Sequence, residues 1–165
     1  MRKTPSLLIA AAYAVLTVAV WGYANRPTPE PAWPNRVQGF AFQPFQKDQD
    51  PVAGDMPSTA QVEGDLALLA GKARSVRTYS SLGTLGEVPA LAAKHGLNVT
   101  VGAWIGRDRE LNDREIEKVI QLANRHKNVE RVIVGNEVLW RGDLSVEDLI
   151  ADLDHVRAAT KKPVS

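Results

Sequence analysis

The feature that most constrains the fold is a repeated alternation of short β-type runs and helical runs from residue 37 onward. Residues 37–42 read as a strand, followed by a Gly/Pro/Asp-rich loop over 43–57. Ser58 has the chemistry of an N-cap for a helix to about residue 69, with Val62, Leu66 and Leu69 on one face. The pattern then predicts a strand over 75–79 and a helix over 85–95 stopped by Gly96. A third strand over 97–104 precedes a helix opened by Asn112 and running to about His126, striped by Ile116, Val119, Ile120 and Ala123. Residues 131–135 form a fourth strand. Ser145 caps a fourth helix whose first turn holds Glu147 and Asp148, where the helix dipole favours acids. Residues 162–165 start a fifth strand.

Strand–helix units with nearly all-apolar strands imply a parallel sheet covered by helices. An open doubly wound sheet and a (β/α)8 TIM barrel both satisfy this. Neither a dinucleotide-type nor a P-loop glycine motif follows any strand, which weakens the nucleotide-binding versions. A full barrel needs about 250 residues, and the portion after residue 35 is about half of that. The expectation is an α/β fold forming the N-terminal half, about four βα units, of a (β/α)8 TIM barrel, cut inside a strand.

Before this domain, Arg2-Lys3 precedes an uncharged stretch over 7–24, and Asn25-Arg26-Pro27 follows. About 18 apolar positions lie near the lower limit for a membrane span and beyond a usual signal-peptide core. Residues 1–25 therefore read as a membrane anchor, with a signal cleaved after Gly22-Tyr23-Ala24 as the alternative. The basic residues in front keep the N-terminus cytoplasmic and export the rest. Residues 26–35, with Pro27, Pro29, Pro31 and Pro34, read as a semi-rigid spacer, and 36–165 as the folded domain.

Composition removes several function classes. The chain has no cysteine, so disulfides, thiolate zinc sites and a cysteine nucleophile are excluded. A net charge of +1 gives no argument for nucleic acid, and Lys161-Lys162 reads as a solvated helix end. His95, His126 and His155 have no ligand spacing, so no metal is expected, nor any cofactor. Asn98-Val-Thr100 is a glycosylation sequon on a strand and is discounted.

In parallel α/β folds, ligands meet the C-terminal ends of strands. Those positions here are Phe42, Tyr79-Ser80-Ser81, Ala103-Trp104 and Asn136-Glu137. The apolar run over 131–135 delivers an amide and a carboxylate together. A carboxyl group at a barrel mouth can serve as general acid, and its amide neighbour can bind a sugar hydroxyl. A solvated strand-end glutamate is the plainer reading. Trp104 and Trp140 are either sugar-stacking platforms or packing residues. One of Phe40 and Phe42 belongs to the core, and Arg77 is placed to pair with a carboxylate inside the barrel.

Val134-Gly-Asn-Glu-Val138, with Val76-Arg-Thr-Tyr-Ser80 and Val101-Gly-Ala-Trp104, resembles glycoside hydrolase family 17. Gly39-Phe-Ala-Phe-Gln-Pro-Phe45 and Gln49-Asp-Pro51 resemble that family's bacterial branch, whose members act on β-1,3-glucans, some as transglycosylases. The resemblance spans about residues 37–165. It implies a retaining β-1,3-glucan hydrolase or transglycosylase, with Glu137 as acid/base and Asn136 as its substrate-binding amide. Tyr79 lines the subsite of the reacting sugar. The implied partner is a β-glucan, with the protein at the bacterial inner membrane facing the periplasm or cell exterior, or secreted if the leader is cleaved. The family's nucleophile, a glutamate on the seventh strand, falls beyond Ser165. Asp48, Asp50, Asp55 and Asp108 match no nucleophile motif, so this length alone is expected to be inactive. The competing reading is a non-catalytic, membrane-tethered glucan-binding module.

Overall fold

The computed structural model describes residues 4–51 and 53–165. The chain divides into two units, Met1–Pro34 and Asn35–Ser165. In the first, α1 (Thr4–Ala24) is a helix whose stretch Pro5–Ala24 has a mean hydropathy of 1.9. At about 1.5 Å per residue it is long enough to cross a hydrocarbon core. Residues 26–34 carry no helix or strand.

The second unit is a four-stranded parallel sheet in the order β1 (Val37–Ala41), β2 (Ala73–Arg77), β3 (Asn98–Ala103) and β4 (Val129–Val134). Between the strands run α2 (Thr59–Leu69), a 3-10 turn at Gly83–Glu87 leading into α3 (Val88–Lys94), and α4 (Arg109–Arg125). The last helix, α5 (Val146–Ala159), follows β4. Val164 bridges Val132 in parallel, so the chain after α5 returns beside β4 as a fifth strand would. A sheet that grows one parallel neighbour at a time, with a helix in each crossover, is half of a TIM-barrel-like fold.

The local chemistry explains the boundaries. Ser58 accepts from the Gln61 amide at 3.3 Å while the Gln61 side chain accepts from the Ser58 amide at 2.8 Å, a complete capping box. Val62 and Leu66 are fully buried below it. Ser145 caps α5 through the Asp148 amide. The start of α4 differs from the sequence expectation: Asp108, not Asn112, is its N-cap, accepting from the Leu111 amide at 3.1 Å. Asn112 instead turns inward and exchanges two 2.8 Å hydrogen bonds with the backbone of Gly106. The helix before Gly96 also starts later than expected, because the Gly83–Glu87 stretch winds as a 3-10 turn. The second strand lies two residues earlier than predicted and ends at Arg77, before Tyr79.

The strands are not apolar throughout. Val76, Val99, Val101, Val132 and Val134 are buried in the core. Arg74, Glu130 and Arg131, near the beginnings of β2 and β4, are exposed. Phe42 belongs to the core at 7% exposure, and Phe40 is 46% exposed.

Candidate active site

The C-terminal ends of the four strands form one mouth, and the sharpest turn there follows β4. Gly135 sits at φ 83°, and a Cβ at this position would lie 2.4 Å from Val138 Cγ2, so only glycine fits. Two residues on, Glu137 takes φ 56°, and it is the one non-glycine residue with positive φ among the described residues. A left-handed conformation costs an ordinary side chain roughly 1–2 kcal/mol and persists where its surroundings over-determine it.

Those surroundings are two arginines. Arg77, at the end of β2, donates through Nη2 to Asn136 Oδ1 at 3.1 Å and lies 4.7 Å over the Tyr79 ring. Its partner is therefore an amide and not the carboxylate expected from the sequence, and its buried Nε has no partner. Because a guanidinium can only donate, the atom facing it must be the Asn136 oxygen. Asn136 is left with its Nδ2 protons to offer to an acceptor.

Arg141 holds the backbone of the same turn. It donates to the Asn136 carbonyl, to the Ile105 carbonyl at 2.8 Å and to Asp143 Oδ2 at 2.7 Å. Its guanidinium lies 4.5 Å over the Trp104 ring, and Asp143 also pairs with Arg107 at 3.3 Å. The Arg141 and Asp143 amides return to the Glu137 and Val138 carbonyls at 2.9 and 3.0 Å. The loops after β3 and β4 are thereby bound into one unit around an exposed Glu137 side chain.

A second anchor lies under Tyr79. Glu115, on the inward face of α4 and only 2% exposed, accepts from Ser80 Oγ. It also accepts from the Ser81 amide at 2.8 Å and Ser81 Oγ at 2.7 Å. The loop carrying Tyr79 is fixed by one buried carboxylate.

The structure thus gathers Asn136, Tyr79 and Trp104 around shared arginines. Trp104 is 38% exposed with Arg141 over its ring, while Trp140 is 85% exposed. Sequence reasoning missed Arg141, Asp143 and Glu115. Glu115 had a signal: with Asn112 it falls in phase with Ile116 and Val119, so it shares their buried face. No group of three or more His, Asp or Glu that could hold a metal occurs among the described residues. Chemically, the mouth offers a solvent-reachable carboxyl group for proton transfer, an oriented amide donor and half-exposed aromatic rings.

Comparison with known proteins agrees with the fold. Two solved structures match with a TM-score of 0.61 at 22% identity. One is a glycoside hydrolase family 17 β-1,3-glucanosyltransferase from Rhizomucor miehei, the other an active-site mutant of the Rhizomucor miehei β-1,3-glucanosyltransferase in complex with laminaritriose. Each alignment covers 74% of this chain and 44% of the other, so the chain spans under half the length of the structures it matches. Among curated proteins, none matches significantly. A family model for the BtgE/BtgC glycoside hydrolase domain matches residues 39–164. The chain, over nearly the whole of its folded unit, belongs to the BtgE/BtgC glycoside hydrolase domain family.

Proposed function

We propose that Glu137 is the general acid/base of a retaining hydrolase or transglycosylase acting on β-1,3-glucans. The observation that carries the reading is the turn after β4, where Gly135 and two arginines hold Asn136 and Glu137 at the barrel mouth. In the first half-reaction the Glu137 carboxyl group gives its proton to the glycosidic oxygen as the bond from that oxygen to the sugar C1 breaks. A carboxylate nucleophile takes C1. In the second, the Glu137 carboxylate removes a proton from water or from an acceptor sugar hydroxyl, whose oxygen displaces the nucleophile. Asn136 donates to the 2-hydroxyl, Tyr79 borders the reacting sugar, and Trp104 and Trp140 offer faces for neighbouring rings.

Retention requires two carboxyl groups about 5–5.5 Å apart. The reading assigns the nucleophile to a βα unit outside these residues, since the chain covers only 44% of each matched structure. Residues 1–25 are assigned as a membrane anchor, 26–35 as its spacer and 36–165 as the glucan-active unit. A 20-residue apolar span beside the N-terminus supports that assignment.

The test is activity on laminari-oligosaccharides by a protein extended through the later units. Glu137→Gln should lower kcat by about three orders of magnitude or more, given what general acid–base catalysis contributes. Glu137→Ala on an aryl glucoside with a good leaving group should be accelerated by azide, giving a β-glucosyl azide, because the anion needs no base. Full activity in Glu137→Gln would refute the assignment. Glucan binding without turnover in the unmutated protein would favour a binding module.

A further inference from the structure

The net charge of +1 conceals a separation. In this sheet every strand begins, and every crossover helix ends, on the floor opposite the mouth that carries Glu137. The floor connections are residues 70–72, 95–97, 126–128 and 160–163, with 35–36 leading into β1. Together with the last residue of each preceding helix they contain no Asp or Glu. Lys72, Arg125, Lys127, Lys161 and Lys162 stand there without an ion pair among the described residues. Arg36 is bonded to the carbonyls of Ala73 and Gly96 and keeps its charge, while Lys94 pairs with Glu63 at 3.0 Å. The mouth loops are the reverse, with Asp48, Asp50, Asp55, Glu87, Asp108, Glu137 and Asp143 against Lys47, Arg107 and Arg141.

Cations at helix C-termini normally answer the helix dipole. Four helix ends supply only about half a negative charge each, which leaves most of the floor's positive charge unanswered. Arg74 and Glu130, the second residues of β2 and β4, add one charge of each sign. Lys127, Lys161 and Lys162 line a groove of about 570 Å³ between the ends of α4 and α5. His126 beside them has its pKa lowered by burial and then by Arg125 and Lys118, as befits a group in a positive field.

The chain also enters the folded unit on this side, because β1 starts there. Residues 25–36 span at most about 37 Å even in full polyproline extension, so a retained α1 would limit how far the folded unit can move from a bilayer. That confinement lets weak attractions act at high effective concentration. Basic clusters next to a membrane helix are drawn to anionic headgroups within a Debye length.

We propose that the basic floor is a docking surface for an anionic phospholipid bilayer and holds the Glu137 mouth facing away from the membrane. This rests on α1 being a retained anchor.

The chain has no cysteine, so single labels are unambiguous. The full chain would be reconstituted in phosphatidylcholine vesicles with or without phosphatidylglycerol, with a quencher on the lipid headgroups. A fluorophore is placed at Ala158→Cys on the floor or at Gln43→Cys just past β1. The floor label should be quenched at least about twofold more in anionic vesicles, and the mouth label should not change. High salt, or Gln in place of Lys72, Lys127, Lys161 and Lys162 together, should erase the difference. Equal quenching in both lipids, or at both labels, would overturn the proposal. Flotation of the vesicles in carbonate reads the anchor separately. Retention in neutral vesicles without lipid-dependent quenching sinks the docking and leaves the anchor standing. Loss from all vesicles overturns both, and salt-sensitive retention by anionic vesicles alone overturns the anchor and with it the anchored docking.

Discussion

Replacing Glu115 by alanine would remove the buried carboxylate that fixes the Tyr79 loop. Three hydrogen bonds to the carboxylate are lost, from Ser80 Oγ, the Ser81 amide at 2.8 Å and Ser81 Oγ at 2.7 Å, although Ser81 Oγ keeps the Glu115 backbone carbonyl at 3.2 Å. Hydrogen bonds to a charged group are worth about 1.5–3 kcal/mol each, and stranding buried donors costs a similar amount per group. Because the three share one carboxylate they do not add fully, so a loss of about 3–5 kcal/mol follows. Against a domain stability of roughly 5–15 kcal/mol, that is at least about a fifth of the total. With a urea m-value near 2 kcal/mol/M, the unfolding midpoint should fall by about 2 M. Glu115→Gln can keep its oxygen on the Ser81 N–H and Oγ and turn its amide to Ser80 Oγ, which can accept, so it should cost less, about 1–2 kcal/mol. Ser81→Ala removes only the hydroxyl, at about 1–2 kcal/mol. Urea unfolding of the wild type, Glu115→Ala, Ser81→Ala and the double variant, followed by circular dichroism, closes a double-mutant cycle. A cost below about 1 kcal/mol for Glu115→Ala, or strict additivity with Ser81→Ala, would refute the reasoning.

Glu137→Gly should remove activity while raising stability by up to about 1 kcal/mol, since glycine accepts φ 56° without strain. A destabilised Glu137→Gly protein would show that the glutamate side chain holds the turn. Gly135→Ala should cost more than about 2 kcal/mol through left-handed strain and the Val138 collision, measured by thermal unfolding. Asp152 has its pKa raised by burial, with Asp113 and Asp148 adding repulsion against a partial offset from Arg109 and His155. One of its oxygens is buried without a partner. The native state therefore holds this proton more tightly than the unfolded chain, so ionising Asp152 costs stability as pH rises through its folded pKa. Asp152→Asn should stabilise by about 0.5 kcal/mol near neutrality, and the gain should vanish below the ordinary carboxylate range. Denaturation midpoints compared at acidic and neutral pH test the sign. Asp148 runs the opposite way: the Arg109 hydrogen bond at 2.7 Å depresses its pKa, and that contribution fades as pH falls.

The parts legible in sequence were those with a local cause. Ser58 and Ser145 cap helices because their partners lie three residues away. The end of β4 was readable because an apolar run stops at Gly135. What depended on distant backbone was not readable. Arg141 gains its meaning from the Ile105 and Asn136 carbonyls and the Trp104 ring, none of which announces itself to a residue in a surface loop. The start of α4 was missed because Arg109-Glu110 carry no apolar phase, while Asn112 resembles a cap and is spent on Gly106. The charge separation was invisible in the total, since only topology sorts the loops into two ends.

The strictly sequential strand order bears on how the protein comes into being. Each of β2, β3 and β4 pairs with its predecessor, a few tens of residues back, so each finds its first partner already made. A chain that leaves a ribosome or crosses a membrane N-terminus first can lay down β1, seat β2 beside it, and close each crossover with its own helix. At every stage the growing edge is covered by the next segment to arrive, while the outer edge of β1 stays open.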